Sequence, residues 1–346
     1  MPSIDKLIIK NLRLFHVIRM TLVCVIAVVI GALFALPYSA WAPITIIVVM
    51  ASDYAGAVVD KANQRIVGTI IGAACGLSLY LLPATYAVTH YVLLIAILAI
   101  FLFFTLGKYS YSAILASITF VLVAGNGPSE LHVAAWRTFN VIWGALLAMA
   151  ASKWLFAAKA SYHFKLLTQD FLIKFQNIYQ QHNQQMQDEK GYQRATLAEL
   201  ETVSKKLSSI APSAIQEVSQ LTPTITEITA LQVRMFNLLE NMVKTPWSHQ
   251  YGSQKIKHCA GLFESKQQTV MLIKQLADYI DESDKTLPPF VISQDDLTIL
   301  QLFPKIEDDH EVKTDISYYG YLWLNRELAR QVIAINHEIN QLVKVR

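Results

Sequence analysis

Between Met20 and Trp136 the chain carries three basic residues, Lys61, Arg65 and Lys108, and three acidic ones, Asp53, Asp60 and Glu130. A stretch of that length with so few charges cannot cover a soluble surface, where about a quarter of residues are ordinarily charged. It has to sit in hydrocarbon, and backbone in hydrocarbon must satisfy its own hydrogen bonds, which leaves helices or a closed barrel. The apolar runs are near the roughly 20 residues that one helical crossing needs. From Tyr162 onward the chain is polar, with mixed charge and many glutamines. The expected fold class is therefore all-α: a transmembrane domain followed by a soluble helical bundle. The boundaries expected are a basic cytoplasmic segment over 1–17, a membrane domain over 18–158 and a cytoplasmic helical domain over 159–346.

Six spans are predicted, at 18–36, 41–58, 65–82, 89–106, 110–126 and 133–156. Lys and Arg decide orientation, because cytoplasmic loops hold the excess of them. The N-terminal tail (Lys6, Lys10, Arg13, Arg19), a charged turn at 58–65, Lys108 and the exit at Lys153, Lys159 and Lys165 fall on one side. The joints at 37–40, 83–88 and 127–132 have no Lys or Arg. Both termini are thus expected in the cytoplasm. Ile4, Leu7, Ile8, Leu12 and Phe15 recur at helical spacing, so the N-terminal segment is either an amphipathic surface helix or a basic flank that orients the first span. A cleaved signal peptide is disfavoured, because Tyr38 stands where a small residue is wanted before Ala40.

Two internal echoes suggest that the six spans are two mirrored threes. Ala42-Pro43-Ile44-Thr45 in the second span is matched by Ala116-Ser117-Ile118-Thr119 in the fifth, 74 residues on. Arg65-x-x-Gly68-x-x-x-Gly72 is matched by Arg137-x-x-Asn140-x-x-x-Gly144, 72 residues on. Copies three spans apart cross in opposite directions, the inverted-repeat plan of many transporters, whose substrate route lies at the repeat interface. Gly68, Gly72 and Gly76 share one helix face and, with Gly144, are expected to let helix backbones approach closely.

The segment Trp41-Ala42-Pro43-Ile44-Thr45 followed by Gln64-Arg65-x-x-Gly68-Thr69-x-x-Gly72 resembles the signature of the fusaric acid resistance (FUSC) family, and Arg137 to Gly144 resembles that family's later motif. The likeness covers residues 10–160. It implies a bacterial inner-membrane transporter, an exporter of small organic, often aromatic, acids driven by the proton gradient or membrane potential. Many members carry two such halves in one chain, so a single half implies a homodimer. The alternatives are a passive organic-anion channel and a membrane-anchored helical scaffold.

Site residues follow from scarcity. Ionisable groups inside a membrane are expensive and mark a cavity or a partner. Arg65 and Arg137 are candidate contacts for a substrate anion, one at each end of the path, with Thr45 and Asn140 beside them. Glu130 is a candidate partner for Arg137. Asp53, read as lying inside the second span, is the candidate for proton coupling. His90 and His132 are weaker relay candidates. Pro43 marks either a broken helix or an ordinary first turn. No HExxH, GxSxG or phosphate-binding loop is present, so no enzyme, nucleotide or cofactor is expected. His258 beside Cys259 lacks the further ligands of a zinc site. The net charge of +3 gives no reason to expect nucleic acid.

The polar half shows helical periodicity in five stripes. Phe164, Leu167, Phe171, Phe175 and Ile178 form the first, and Leu197, Leu200, Leu207 and Ile210 the second. Ile225, Ile228, Leu231, Met235 and Leu238 follow after Pro223. Cys259, Phe263, Val270, Ile273, Leu276 and Ile280 make the fourth, and Tyr321, Leu328, Val332, Ile335, Ile339 and Leu342 the last. Each stripe needs a partner, hence a bundle. Residues 284–315, with three prolines, are expected to form a loop.

Overall fold

A computed structural model describes residues 2–81, 87–125, 131–188, 195–244, 256–257, 259–281, 288–302 and 312–344. Among them every regular element is helical. Two compact units follow one another, Met1–Ala160 and Ser161–Arg346.

The first unit contains α1 (Pro2–Lys10), α2 (Leu12–Leu33), α3 (Trp41–Val49), α4 (Ala55–Ser78), α5 (Ala87–Phe103), α6 (Ser110–Ala124) and α7 (Leu131–Trp154). Four helical stretches among the described residues are long and apolar enough to cross a bilayer: Leu12–Leu33, Ala55–Leu81, Val88–Leu106 and His132–Trp154. Two further apolar helices are shorter, α6 with 15 residues and α3 with nine. At about 1.5 Å per residue, α3 alone rises about 13 Å, well short of a bilayer core of about 30 Å.

The sequence placed the break between the second and third spans at the charged residues 58–65. The structure places it at 50–54 and runs one helix through the charges. Asp60 accepts a hydrogen bond from Gln64 Nε2 at 2.7 Å, one turn along. Such a pair sits comfortably on a helix surface. The backbone leaves the helix at Met50 and is extended by Tyr54 (φ −103°, ψ 143°). Polar backbone outside a helix needs partners, and the fully buried Arg19 supplies them. Its guanidinium donates to the carbonyl oxygens of Asp53 (3.1 Å) and Phe156 (3.3 Å). The same corner is closed by the Ala55 N–H donating to Ala158 O at 3.2 Å. Pro43 lies in the first turn of α3, where its missing N–H costs nothing.

Small residues set the helix packing. A Cβ on Gly68 would collide with the Ser112 carbonyl oxygen, and one on Gly72 with that of Ala116, so α4 lies directly against α6. A Cβ on Gly76 would come within 2.8 Å of the Val123 side chain. On the other side, a Cβ on Gly144 of α7 would lie 2.8 Å from the Ala42 carbonyl oxygen of α3. Val23, Ala27, Ala42, Ile46, Val58, Ala62, Ala145 and Ala148 fill the space among α2, α3, α4 and α7.

The second unit contains α8 (Ala160–Asp188), α9 (Ala195–Glu217), α10 (Thr222–Lys244), α11 (Leu262–Asp281) and α12 (Val312–Lys344). The five stripes supply its core: Phe164, Phe171, Phe175, Leu200, Leu207, Ile228, Met235, Ile273, Leu276, Leu328, Val332 and Ile339 are all inaccessible to solvent. Within the expected loop, residues 288–302 are strapped to α12. Asn336 and Asn340 donate to Phe290 O, and Arg326 donates to the carbonyls of Ile299, Leu300 and Leu302. A single short turn, Thr298–Leu300, interrupts them.

Candidate functional site

Shifting the chain break from 58–65 to 50–54 changes where Arg65 lies. It stands ten residues inside α4, about 15 Å along the axis, rather than at a helix mouth. Its side chain is buried, and Nε donates to Thr45 Oγ1 at 3.3 Å across to α3. Arg137, six residues into α7, lays its guanidinium over the Trp41 indole at the start of α3, 3.5 Å from the ring centroid. A guanidinium flat on tryptophan is the strongest form of cation–π contact. The two arginines lie within electrostatic reach of one another.

The sequence put the arginines at the two ends of a path; in the fold each reaches a residue of α3, Arg65 from α4 to Thr45 and Arg137 from α7 to Trp41, one helical turn apart. No carboxylate among the described residues forms an ion pair with either guanidinium. Glu130, the partner considered for Arg137, lies outside the described residues, as do His258 and most of the joints at 83–88 and 127–132. Arginine does not give up its proton in a protein. Two such charges within electrostatic reach repel, and an anion that came between them would relieve both.

Asn140 is fully buried one turn beyond Arg137. Its Nδ2 donates to Pro37 O and Trp136 O, both at 2.9 Å, and its Oδ1 accepts from Trp143 Nε1 at 2.8 Å. Those bonds use both amide hydrogens and tie α7 to the turn leading into α3, so the residue positions Trp41 and Arg137. Asp53 does not sit inside a helix. It occupies the turn between α3 and α4 with its side chain 54% exposed, 3.5 Å from His16 Nδ1. His90 stacks on Tyr80, with centroids 6.3 Å apart, and His132 meets the Tyr38 ring edge-on at 6.1 Å. No group of three or more His, Cys, Asp or Glu among the described residues is placed to hold a metal.

With this geometry in place, comparison with known proteins sharpens the picture. A family model described as fusaric acid resistance protein-like matches residues 26–151. α3 and α4 fall within that range, as does α7 up to its last three residues. Residues 26–151 are a fusaric acid resistance-like segment. The likeness does not stop there: over 335 residues the chain is 24% identical to inner membrane protein YeeA of Escherichia coli (strain K12), spanning 95% of this chain and 94% of that protein. The FUSC-like character read from Trp41–Gly72 is matched by the family model, whose range contains that motif.

The roles of two residues of the membrane unit escaped sequence reasoning. Trp41 was legible as the first residue of the family-like signature, but nothing in the sequence pairs it with Arg137, 96 positions on. Arg19 was counted with the basic flank, yet it is 1% exposed and braces two backbone segments. Its one signal was position: four of the five residues between it and Arg13 are apolar, and α2 runs through both arginines.

Proposed function

We propose that this chain is a secondary transporter of the bacterial inner membrane that exports small organic anions, aromatic acids among them, using the proton gradient or membrane potential. The observation that carries the reading is the pair of guanidiniums of Arg65 and Arg137, each set against α3 and neither ion-paired with a described carboxylate. A carboxylate substrate would neutralise both, with Thr45 and Trp41 completing a polar and an aromatic wall. Arg65, Arg137 and Thr45 would bind the anion, while Asn140 holds the frame. Asp53, beside His16 at the turn, would be the proton-coupling group.

Three facts favour a transport path here. α3 is a short helix that gives way to irregular backbone, the arrangement transporters use at substrate sites. The relative matched over most of the chain is named an inner membrane protein. The internal echoes also meet in space: Gly72 of the first copy packs on Ala116 of the second, and Gly144 of the second packs on Ala42 of the first. That reciprocal contact is what an inverted repeat produces, and it supports six crossings with both ends of the chain in the cytoplasm. The assembly would be a homodimer, each protomer supplying one half.

Flux in proteoliposomes tests the function. A panel of benzoate-class carboxylates, each paired with its neutral amide, should show transport of acids alone, responsive to an imposed proton gradient. Equal flux of acids and amides, or acid flux unaltered in a folded Arg65→Gln/Arg137→Gln variant, would overturn it.

A further inference from the structure

The second unit buries a cation that the transport reading does not use. Lys266 of α11 is inaccessible to solvent. Three rings surround its Nζ: Tyr321 of α12 with its centroid 4.7 Å away, Tyr179 of α8 at 5.5 Å and Phe263 of α11 at 5.6 Å. Nζ also donates to Tyr321 Oη. That hydroxyl lies 3.2 Å from His182 Nε2 on α8. Tyr179 Oη donates to Asn325 Oδ1 at 2.6 Å, and Asn325 Nδ2 donates to Tyr321 O at 2.7 Å. The groups facing Lys266 are thus Tyr179 and His182 from α8, Tyr321 from α12 and Phe263 from its own helix. No carboxylate among the described residues forms an ion pair with it.

A buried cluster with two bases and no carboxylate has little to offset an added proton. In the tautomer with His182 Nε2 unprotonated, Tyr321 accepts from Lys266 and donates to that nitrogen. The chain runs Lys266 to Tyr321 to His182, and a proton on His182 would reverse it. Adding a proton to Lys266 instead places an ammonium in a dry core, where only ring faces and one hydroxyl offset its lost hydration. Three helices are joined at this point, so the charge state of Lys266 bears on all of them.

We propose that Lys266, Tyr321 and His182 form a proton-operated latch that ties α11 to α8 and α12, closed while Lys266 is a neutral amine and loosened when it takes a proton. Burial without a counter-ion holds the Lys266 amine well below the ordinary lysine range. Burial, with the Lys266 charge adding to it, pushes His182 down to about 3. Both shifts have the same sign in linkage. The opened unit binds more protons than the closed one, so the closed state strengthens as pH rises and weakens as it falls. For Lys266 this holds between its depressed value and the ordinary one near 10.5, and for His182 between about 3 and 6.5. The latch would let the soluble unit answer the same proton supply that a transporter draws on, but it stands on the cluster alone and does not depend on transport.

Amide hydrogen exchange on the full chain in nanodiscs tests it, read on peptides from 262–281 and corrected for the intrinsic pH dependence of exchange. Between about pH 6 and pH 9, protection of α11 should rise with pH, approaching tenfold per unit where one proton separates the open and closed states. Lys266→Met should flatten the slope above pH 7 while leaving α11 protected. His182→Gln, which keeps an acceptor, should retain that slope and lose only the steepening below about pH 6.5. Protection independent of pH in the wild-type chain would overturn the latch, even if Lys266→Met did not fold. A slope unchanged in a folded Lys266→Met chain would do the same.

Discussion

Both units bury cations without a described carboxylate, and both set them against aromatic rings, yet the two arrangements differ in kind. In the membrane unit the cations in question are arginines: Arg65, buried on Thr45, and Arg137, half-buried on Trp41. In the second unit it is Lys266, ringed by Tyr179, Tyr321 and Phe263. Arginine keeps its proton, so its charge persists and the only relief is an anion from outside. Lysine can shed its proton, so its relief is internal and depends on pH. The choice of residue therefore separates a place built to receive an anion from a place built to release a proton.

The strongest challenge to that contrast is to remove the permanent charges. Arg65→Gln/Arg137→Gln should weaken carboxylate affinity about a hundredfold, since truncating buried charged partners costs about 2–5 kcal/mol; titration of the purified variant checks this. Arg137→Lys is the sharper form. It keeps a charge on Trp41 but removes the planar fork, and should lose about tenfold in affinity, one lost charge-assisted hydrogen bond's worth.

Packing comes next in size. Gly72→Leu would drive a side chain into the Ala116 carbonyl. It should destabilise the α4–α6 contact by about 1–3 kcal/mol, seen as a fall in the temperature at which the protein loses monodispersity in detergent. The equivalent change at Gly320, which has open space around its Cα, should be far milder. Trp41→Leu removes one cation–π face and should cost about 1 kcal/mol in carboxylate affinity, roughly fivefold. Asp53→Asn is the smallest. An exposed pair with His16 contributes less than about 1 kcal/mol, so folding should be unaffected, while the dependence of flux on the proton gradient should fall if Asp53 carries the proton.

The sequence made some of this visible and hid the rest for physical reasons. The membrane unit was legible because hydrocarbon rejects charge, so six charged residues in over a hundred positions leave a plain mark. The helical stripes of the second unit were equally plain, because burial repeats every turn. The break at 50–54 was not. Hydropathy measures how apolar a stretch is, and Met50 and Ala51 are as apolar as a helix interior; the contact that marks the break, Arg19 on the Asp53 carbonyl, is tertiary and invisible to it. That misplaced break carried Arg65 to a helix end and separated it from Arg137. Lys266 had left a trace, a lysine three residues after Phe263 and four before Val270 on the same apolar stripe. Its meaning depends on Tyr179 and Tyr321, which come from helices distant in the chain, and periodicity within one helix does not report on another.

Calorimetric titration of the purified chain with a benzoate-class carboxylate and with its neutral amide is the most direct probe of the unrelieved guanidiniums. The account predicts saturable binding of the acid, none of the amide, and loss of the difference in a folded Arg65→Gln/Arg137→Gln protein. Acid and amide binding alike, or acid binding that survives without both arginines, would contradict it.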